Sequence, residues 1–366
     1  MIDRRLVTNF DWTLLGIVAA ISLLGVLNIY SASAAYKLAG TPYYIKQLNW
    51  ITFGLMISLL VCSVDYHIFE DFSYWFYGLL IILLLAVLLL GKRSLGATRW
   101  LNFGFFNIQP SELMKIVIII TFARFFNNFH AVGGLSLKDM LFPLGLLAFP
   151  ALLIMKQPDL GTAILVILIA LSMALFIGLR WSTVLSFILI GIPMALIGWT
   201  SFLKPYQKNR LLDFMDPERS RLGSGYHIIQ SKIAVGSGGF WGKGYVQGTQ
   251  AQLRFLPEQH TDFAFSVYSE EWGFFGAFIL IILYLWLILW GLNIARRCND
   301  RLGALLAVGV TAMLFWHTVI NIGMVIGLFP VVGVPLPFFS YGGTSMITSM
   351  VGVGILQNIS MRRFMF

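Results

Sequence analysis

Ten stretches of this 366-residue chain are apolar for long enough to cross a lipid bilayer, and that leaves little freedom of architecture. In hydrocarbon every backbone N–H and C=O must be paired within the protein, which favours helices, and about 17 to 25 residues at 1.5 Å each suffice to span it. The runs lie near 12–32, 47–64, 72–91, 110–126, 141–156, 160–179, 183–203, 264–292, 303–328 and 344–361. The expected fold is all-α: a polytopic integral membrane protein of about ten transmembrane helices in one domain, 1–366, with one long extracytoplasmic loop at 204–263. Composition agrees, since 58% of residues are hydrophobic and 11% charged, against about a quarter charged in soluble domains. A soluble globule is excluded.

Two runs are interrupted. Glu112, Lys115 and Arg124 break the fourth, and Pro143 and Pro150 the fifth; broken spans usually line something. An even number of spans puts both termini on one face, and cytoplasmic loops carry the excess of Lys and Arg. With the termini inside, the short inner segments hold ten such residues (Arg4, Arg5, Arg124, Lys138, Arg180, Arg296, Arg297, Arg301, Arg362, Arg363) and the short outer loops six (Lys37, Lys46, Lys92, Arg93, Arg99, Lys156). Both termini are therefore expected in the cytoplasm, and 91–110, 156–159, 204–263 and 329–343 outside. The net charge of +9 follows from loops of this kind and calls for no nucleic-acid partner. Ala32-Ser33-Ala34 looks like a cleavage site, but the apolar run before it is too long for a signal peptide, so it reads as an anchor. Cys62 and Cys298 suit packing and a free thiol rather than a disulfide framework.

The polar residues of the loops and span ends carry the functional signal. The run Gly236-Ser-Gly-Gly-Phe-Trp-Gly-Lys-Gly244 matches neither phosphate-loop pattern, and its glycines read as tight turns close to a membrane surface. If the eighth helix begins near His260, then Asp262, Ser266, Ser269 and Glu270 share a face. Asp262 has two readings: an acid in company at the membrane mouth, or a charge on the first turn of a helix. Spacing alone leaves both open. Glu112 and Lys115, three residues apart, and Lys156 near Asp159 sit where charges face a bundle interior or wet cavity, or neutralise each other for packing. Arg99-Trp100 and Arg210 add cations on the same side, making a basic vestibule for an anionic headgroup. No H-E-x-x-H, G-x-S-x-G or metal-holding Asp pair occurs. The five histidines are scattered, and His317 reads as a satisfied core residue.

At these same residues the chain resembles the SEDS family (shape, elongation, division and sporulation) over essentially its whole length, and within it the RodA branch rather than its division relative FtsW. The resemblance rests on Gly96-Ala-Thr-Arg-Trp-Leu101, Gln109-Pro-Ser-Glu-Leu-Met-Lys115, Lys156-Gln-Pro-Asp-Leu-Gly-Thr162, Gly225-Tyr-His-Ile-Ile-Gln-Ser-Lys232, Phe255-Leu-Pro-Glu-Gln-His-Thr-Asp-Phe263 and Pro335-Leu-Pro-Phe-Phe-Ser-Tyr-Gly-Gly343. It implies a peptidoglycan glycosyltransferase of the bacterial cytoplasmic membrane that polymerises lipid II into glycan strands at the outer face during elongation. It also implies a class B penicillin-binding transpeptidase and other elongation-complex proteins as partners, and Asp262 as the essential acid.

The chemistry implied suits these residues. Transfer from an α-linked diphosphate to a β-linked product inverts the anomeric centre, so one displacement and one base suffice. Asp262 is expected to take the proton of the acceptor 4-hydroxyl. Charge accumulating on the diphosphate favours fixed cations or a divalent metal, the possible cofactor, at the leaving oxygens. Arg99, Lys115, Lys156 and Arg210 are the candidate cations, with Glu112 orienting Lys115 and Asp159 orienting Lys156. Trp100, Glu258 and His260 complete the expected substrate-binding set. The prenyl tail needs a groove open to the bilayer, for which Pro-containing span five is the expected wall, and donor and acceptor need adjoining subsites. The competing classes are a lipid II flippase, which would need functional charges along a path to the inner face, and a scaffold indifferent to neutralising Asp262.

Overall fold

A computed structural model describes residues 8–34, 41–94, 97–102, 107–129, 133–198, 200, 205–220, 223–256 and 258–363. Arg4, Arg5 and Lys37 of the charge count, and His130, lie outside the described residues. The ten apolar stretches are all helical: α1 (Trp12–Ala34), α2 (Tyr43–Ser63), α4 (Ser73–Leu90), α5 (Pro110–Asn128), α6 (Leu137–Lys156), α7 (Leu160–Ile177), α8 (Trp181–Ile197), α12 (Ala264–Arg297), α13 (Arg301–Val325) and α14 (Gly343–Arg362). A short α3 (Tyr66–Asp71) links α2 to α4. Seven of the described helices are long and apolar enough to cross a membrane by length and composition alone. The other three of the ten fall short of that measure: α5 carries three charges, α8 has 17 residues, and α14 is rich in Ser, Thr, Asn and Gln.

Local chemistry sets the helix ends. Pro110 occupies the first turn of α5, where a missing N–H costs nothing. Ser136 and Asp139 form a reciprocal capping box on α6, and Asp300 accepts from Leu302 N and Gly303 N at the start of α13. Pro143 and Pro150 leave α6 helical from Leu137 to Lys156. Arg124, an interruption in sequence, donates at 2.8 Å to the carbonyls of Glu70 and Asp71 and lies 4.7 Å from the Tyr74 ring centre.

Helix α13 runs through the middle of the bundle, buried on most sides, against α12, α7, α5 and α14. Around it α14 packs along α2, and α12 along α1. Between α4 and α5 the chain makes a small antiparallel sheet, β1 (Lys92–Ser94), β2 (Ala97–Asn102) and β3 (Asn107–Ile108), with Lys92 opposite Trp100 and Leu101 opposite Ile108.

The 204–263 segment is largely helical within its described part: α9 (Pro205–Met215), a 3-10 turn (Pro217–Ser220), α10 (Ser224–Ser237) and the single turn α11 (Thr249–Gln252). Its glycine-rich stretch is the tight turn that the sequence suggests. It docks on a break in α12 at Gly273, whose φ of 65° and ψ of −163° leave the helical region. The gap in the helix ladder is filled by the turn, since Phe274 N donates to Gly239 O (2.8 Å) and Phe275 N to Phe240 O (3.1 Å). In return Lys243 N and Gly244 N donate to the carbonyls of Glu270 and Glu271, each at 3.0 Å. Only glycine fits: a Cβ at Gly273 would stand 2.3 Å from Gly242 N.

Candidate active site

A cavity of about 1080 Å³ opens where the small sheet, the start of α5, the 204–263 segment and the loop before α14 converge. Asp262 stands in its wall, two residues before α12. The helix starts at Ala264, not near His260, because Glu258–Phe263 form a turn in which Thr261 N and Phe263 N donate to Glu258 O. The expected shared face therefore divides. Ser266 Oγ is 2.8 Å from Ser231 Oγ, and Glu270 turns to Lys243 Nζ (2.6 Å) and Thr249 Oγ1 (3.0 Å). Neither lines the cavity, and Glu258 is the carboxylate that joins Asp262 there.

Withdrawal from water, with Glu258 adding a like charge, pushes the Asp262 carboxyl up from its ordinary 3.8 to about 6; Arg99 and Arg210 pull the other way. Gly333 lies against it with φ +71°, a conformation that favours glycine, and a Cβ there would stand 3.2 Å from Asp262 Oδ2, close enough that one of the two must shift slightly. His227, also in the wall, is held below its ordinary range by burial and by Arg210.

The two arginines come from different elements. Arg99 enters from β2; its guanidinium donates to Pro158 O and lies 3.9 Å from Asp159 Oδ1. Arg210 enters from α9 and donates to Val331 O at 3.3 Å. Trp100 lines the cavity beside Arg99. Asp159 is buried behind this wall, where it accepts from Gln109 Nε2 (2.8 Å), Ser111 Oγ (3.3 Å) and Thr162 Oγ1 (2.9 Å). Its partner is Arg99, so the expected pairing with Lys156 is not formed. Lys156 is exposed in the last turn of α6, where a cation complements the helix dipole, and it does not line the cavity.

Glu112 and Lys115 are paired as expected, at 2.8 Å on the inner face of α5. Glu112 lines the cavity and its buried Oε2 has no hydrogen-bond partner among the described residues. Lys115 lies behind it, 1% exposed, with His317 Nε2 at 2.6 Å. His260 misses the cavity: its ring stacks on Tyr43 at 4.3 Å, and burial pushes its pKa down.

Other groups escaped the sequence reading. Lys46, Asn49 and Trp50 of α2, and Tyr341 with the start of α14, form a further part of the wall. This wall, and not the Pro-containing α6, borders the cavity, because α6 lies outside it beyond α7 and α5. Asn321 is buried in α13 and donates to the carbonyls of Asp262 (3.0 Å) and Val334 (2.7 Å). A carboxamide inside an apolar span is the signal that could have found it. Among the described residues no group of three or more His, Cys, Asp or Glu is placed to hold a metal ion. The wall carboxylates are Glu112, Glu258 and Asp262, and they do not come together as such a group. The arrangement can take a proton at one carboxylate while two guanidiniums face an anion.

Comparison with known proteins gives the same pattern across the chain. A family model described as cell cycle protein, of FtsW, RodA and SpoVE, matches residues 11–364. The peptidoglycan glycosyltransferase MrdB of Escherichia coli K12 is 42% identical over 363 residues, covering 98% of this chain and 95% of that protein. A chain from a structure described as structural coordination of polymerization and crosslinking by a peptidoglycan synthase complex is similar at a TM-score of 0.84 and 32% identity, over 98% and 99% of the two chains. The crystal structure of the rod shape determining protein RodA of Thermus thermophilus is similar at a TM-score of 0.71 and 28% identity, over 97% and 98%.

Proposed function

The chain belongs to the FtsW/RodA/SpoVE family and is a RodA-like peptidoglycan glycosyltransferase of cell elongation, and from that premise we propose that this cavity polymerises lipid II with Asp262 as general base. The observation that carries the reading is the placement of the Asp262 carboxylate in the same cavity wall as the guanidiniums of Arg99 and Arg210; withdrawal from water, which pushes that carboxyl up to about 6, supports it. At neutral pH Asp262 is mostly ionised yet still basic enough to accept a proton, the compromise that general-base catalysis favours.

In this mechanism the acceptor 4-hydroxyl hydrogen-bonds to the Asp262 carboxylate. The oxygen attacks the anomeric carbon of the donor, the bond to the diphosphate breaks, and the proton passes to Asp262. One displacement inverts the anomeric centre. Arg99 and Arg210 take the growing charge on the diphosphate oxygens. Glu112 Oε2 accepts from a sugar hydroxyl or amide, and Trp100 offers a flat face to a sugar ring. The prenyl tail leaves along α2, where Trp50 and Phe53 line the cavity.

A multi-pass membrane protein doing this chemistry on an exported substrate has its cavity at the outer face of the cytoplasmic membrane and both termini inside, the orientation that the Lys and Arg count favours. A cross-linking class B transpeptidase is its partner in this reading; likeness to a chain of a synthase complex supports it. The test is polymer formation from labelled lipid II by the full-length protein with its transpeptidase present and that partner's own site blocked. Wild type makes strands and a folded Asp262→Asn variant makes none. Equal activity in both would remove Asp262 as the base.

A further inference from the structure

Helix α13 presents His317 and Asn321 one turn apart, so both side chains lie on the same face. Each bridges two parts of the site. Asn321 is 0% exposed and spends both amide hydrogens on carbonyls, at 3.0 Å to Asp262 O and 2.7 Å to Val334 O. His317, 3% exposed, has Nδ1 at 3.2 Å from Pro335 O and Nε2 at 2.6 Å from Lys115 Nζ. A carbonyl can only accept, so Nδ1 carries the proton and Nε2 offers its lone pair to the ammonium. The neutral tautomer is thus selected by its two neighbours. Consecutive carbonyls, Val334 and Pro335, are gripped by consecutive turns of one helix, and Gly333 just before them lies against the Asp262 carboxylate.

We propose that His317 and Asn321 are positioning residues, a two-rung clamp that sets where the Asp262 carboxylate stands relative to the Lys115–Glu112 pair across the cavity. Neither touches substrate. Asn321 acts through the Asp262 main chain and His317 through Lys115, and the 333–335 stretch ties the rungs together. A buried amide with both hydrogens engaged is costly to replace by an apolar group, because two carbonyls are then left unpaired in a low-dielectric setting. The effect on catalysis rests on Asp262 being the base; the hold on its position does not.

The test uses the full-length protein with its transpeptidase, lipid II as substrate, and two readouts: kcat and KM across pH, and the pH midpoint for carbodiimide modification of Asp262 measured by mass spectrometry. Asn321→Leu, of similar size, is expected to lower kcat by about ten- to a hundredfold with KM within about threefold, as for a misplaced base. The acid limb of kcat and the modification midpoint move together. His317→Phe lowers activity and His317→Gln, which can still accept from Lys115, restores at least half of it. Should Asn321→Leu not fold, Gly333→Ala presses on Asp262 Oδ2 from the other side and is expected to move the same midpoint. An unchanged kcat and midpoint in whichever of these two variants folds, or equal activity of His317→Phe and His317→Gln, overturns the clamp. Retained activity in Asp262→Asn alongside a shifted midpoint in Asn321→Leu overturns the base assignment and leaves the clamp standing.

Discussion

Arg99 reaches from a three-stranded sheet to lie 3.9 Å from Asp159 and donates to Pro158 O, and these contacts fasten the sheet to the start of α7. Asp159 also caps that helix, accepting from Thr162, and receives Gln109 and Ser111 from the α5 side. Asp159→Ala should therefore lower thermal stability in detergent by about 1–3 kcal/mol, the usual cost of stripping a buried hydrogen-bonded acceptor. It should also raise KM for lipid II as Arg99 loses its anchor. Thermal melts and initial rates at varied lipid II check the two effects, and an unchanged KM would detach Arg99 from substrate binding.

The pH profile of polymerisation should report Asp262. With its carboxyl pushed up to about 6, kcat rises with pH and levels off above that point, falling about tenfold per unit below it. Glu258→Gln removes a like charge that raises the value, so the acid limb moves to lower pH.

Stability should run the opposite way. The folded-state value lies above the ordinary 3.8, so the folded protein holds the proton more tightly than the unfolded chain does. Stability is then full below about pH 4 and declines as pH rises to about 6. Asp262→Asn, which carries no charge to desolvate, should melt higher than wild type at pH 8 and match it near pH 4, while making no polymer. Equal melting temperatures at both pH values would show that the carboxylate is not desolvated in the folded protein.

Lys115 and Lys156 should separate cleanly. Lys156 is exposed and does not line the cavity, so Lys156→Ala should keep activity within about twofold, as surface changes do. Lys115→Ala leaves Glu112 as an unpaired buried charge and should cost about 3–5 kcal/mol. The double variant with Glu112→Gln should recover part of that loss in stability, a coupling that a double-mutant cycle reads directly.

Gly273→Ala should be among the most damaging changes outside the cavity. Its Cβ would meet Gly242 N at 2.3 Å, with main chain on both sides and φ at 65°. We expect loss of the 238–244 turn, seen as rapid amide exchange at Phe274 and Phe275, whose N–H groups bond to that turn.

The helices were legible because apolar length is a direct consequence of bilayer thickness, and each apolar stretch became a helix within a few residues. Glu112–Lys115 was legible for a similar reason: three residues apart on a helix is a contact. Lys156 and Asp159, also three apart, failed because a C-cap at Gln157 and Pro158 separate two helices there, and helical spacing does not carry across a boundary. The grouping of Asp262 with Glu270 failed likewise, since a turn precedes α12 and Lys243 claims Glu270. Asn321 and the α2 wall were invisible to spacing. They meet the cavity through contacts between elements far apart in sequence, which no local pattern encodes.

That assembly has a bearing on how the protein comes into being at the ribosome. Lining residues run from Lys46 to Ser345, and the last of them belong to the first turn of α14. A chain interrupted before α14 is inserted therefore has Asp262, both arginines and the sheet, yet lacks one side of the chamber. Activity is expected only once α14 has been added, so a polypeptide halted before it should be unfinished in chemistry as well as in length.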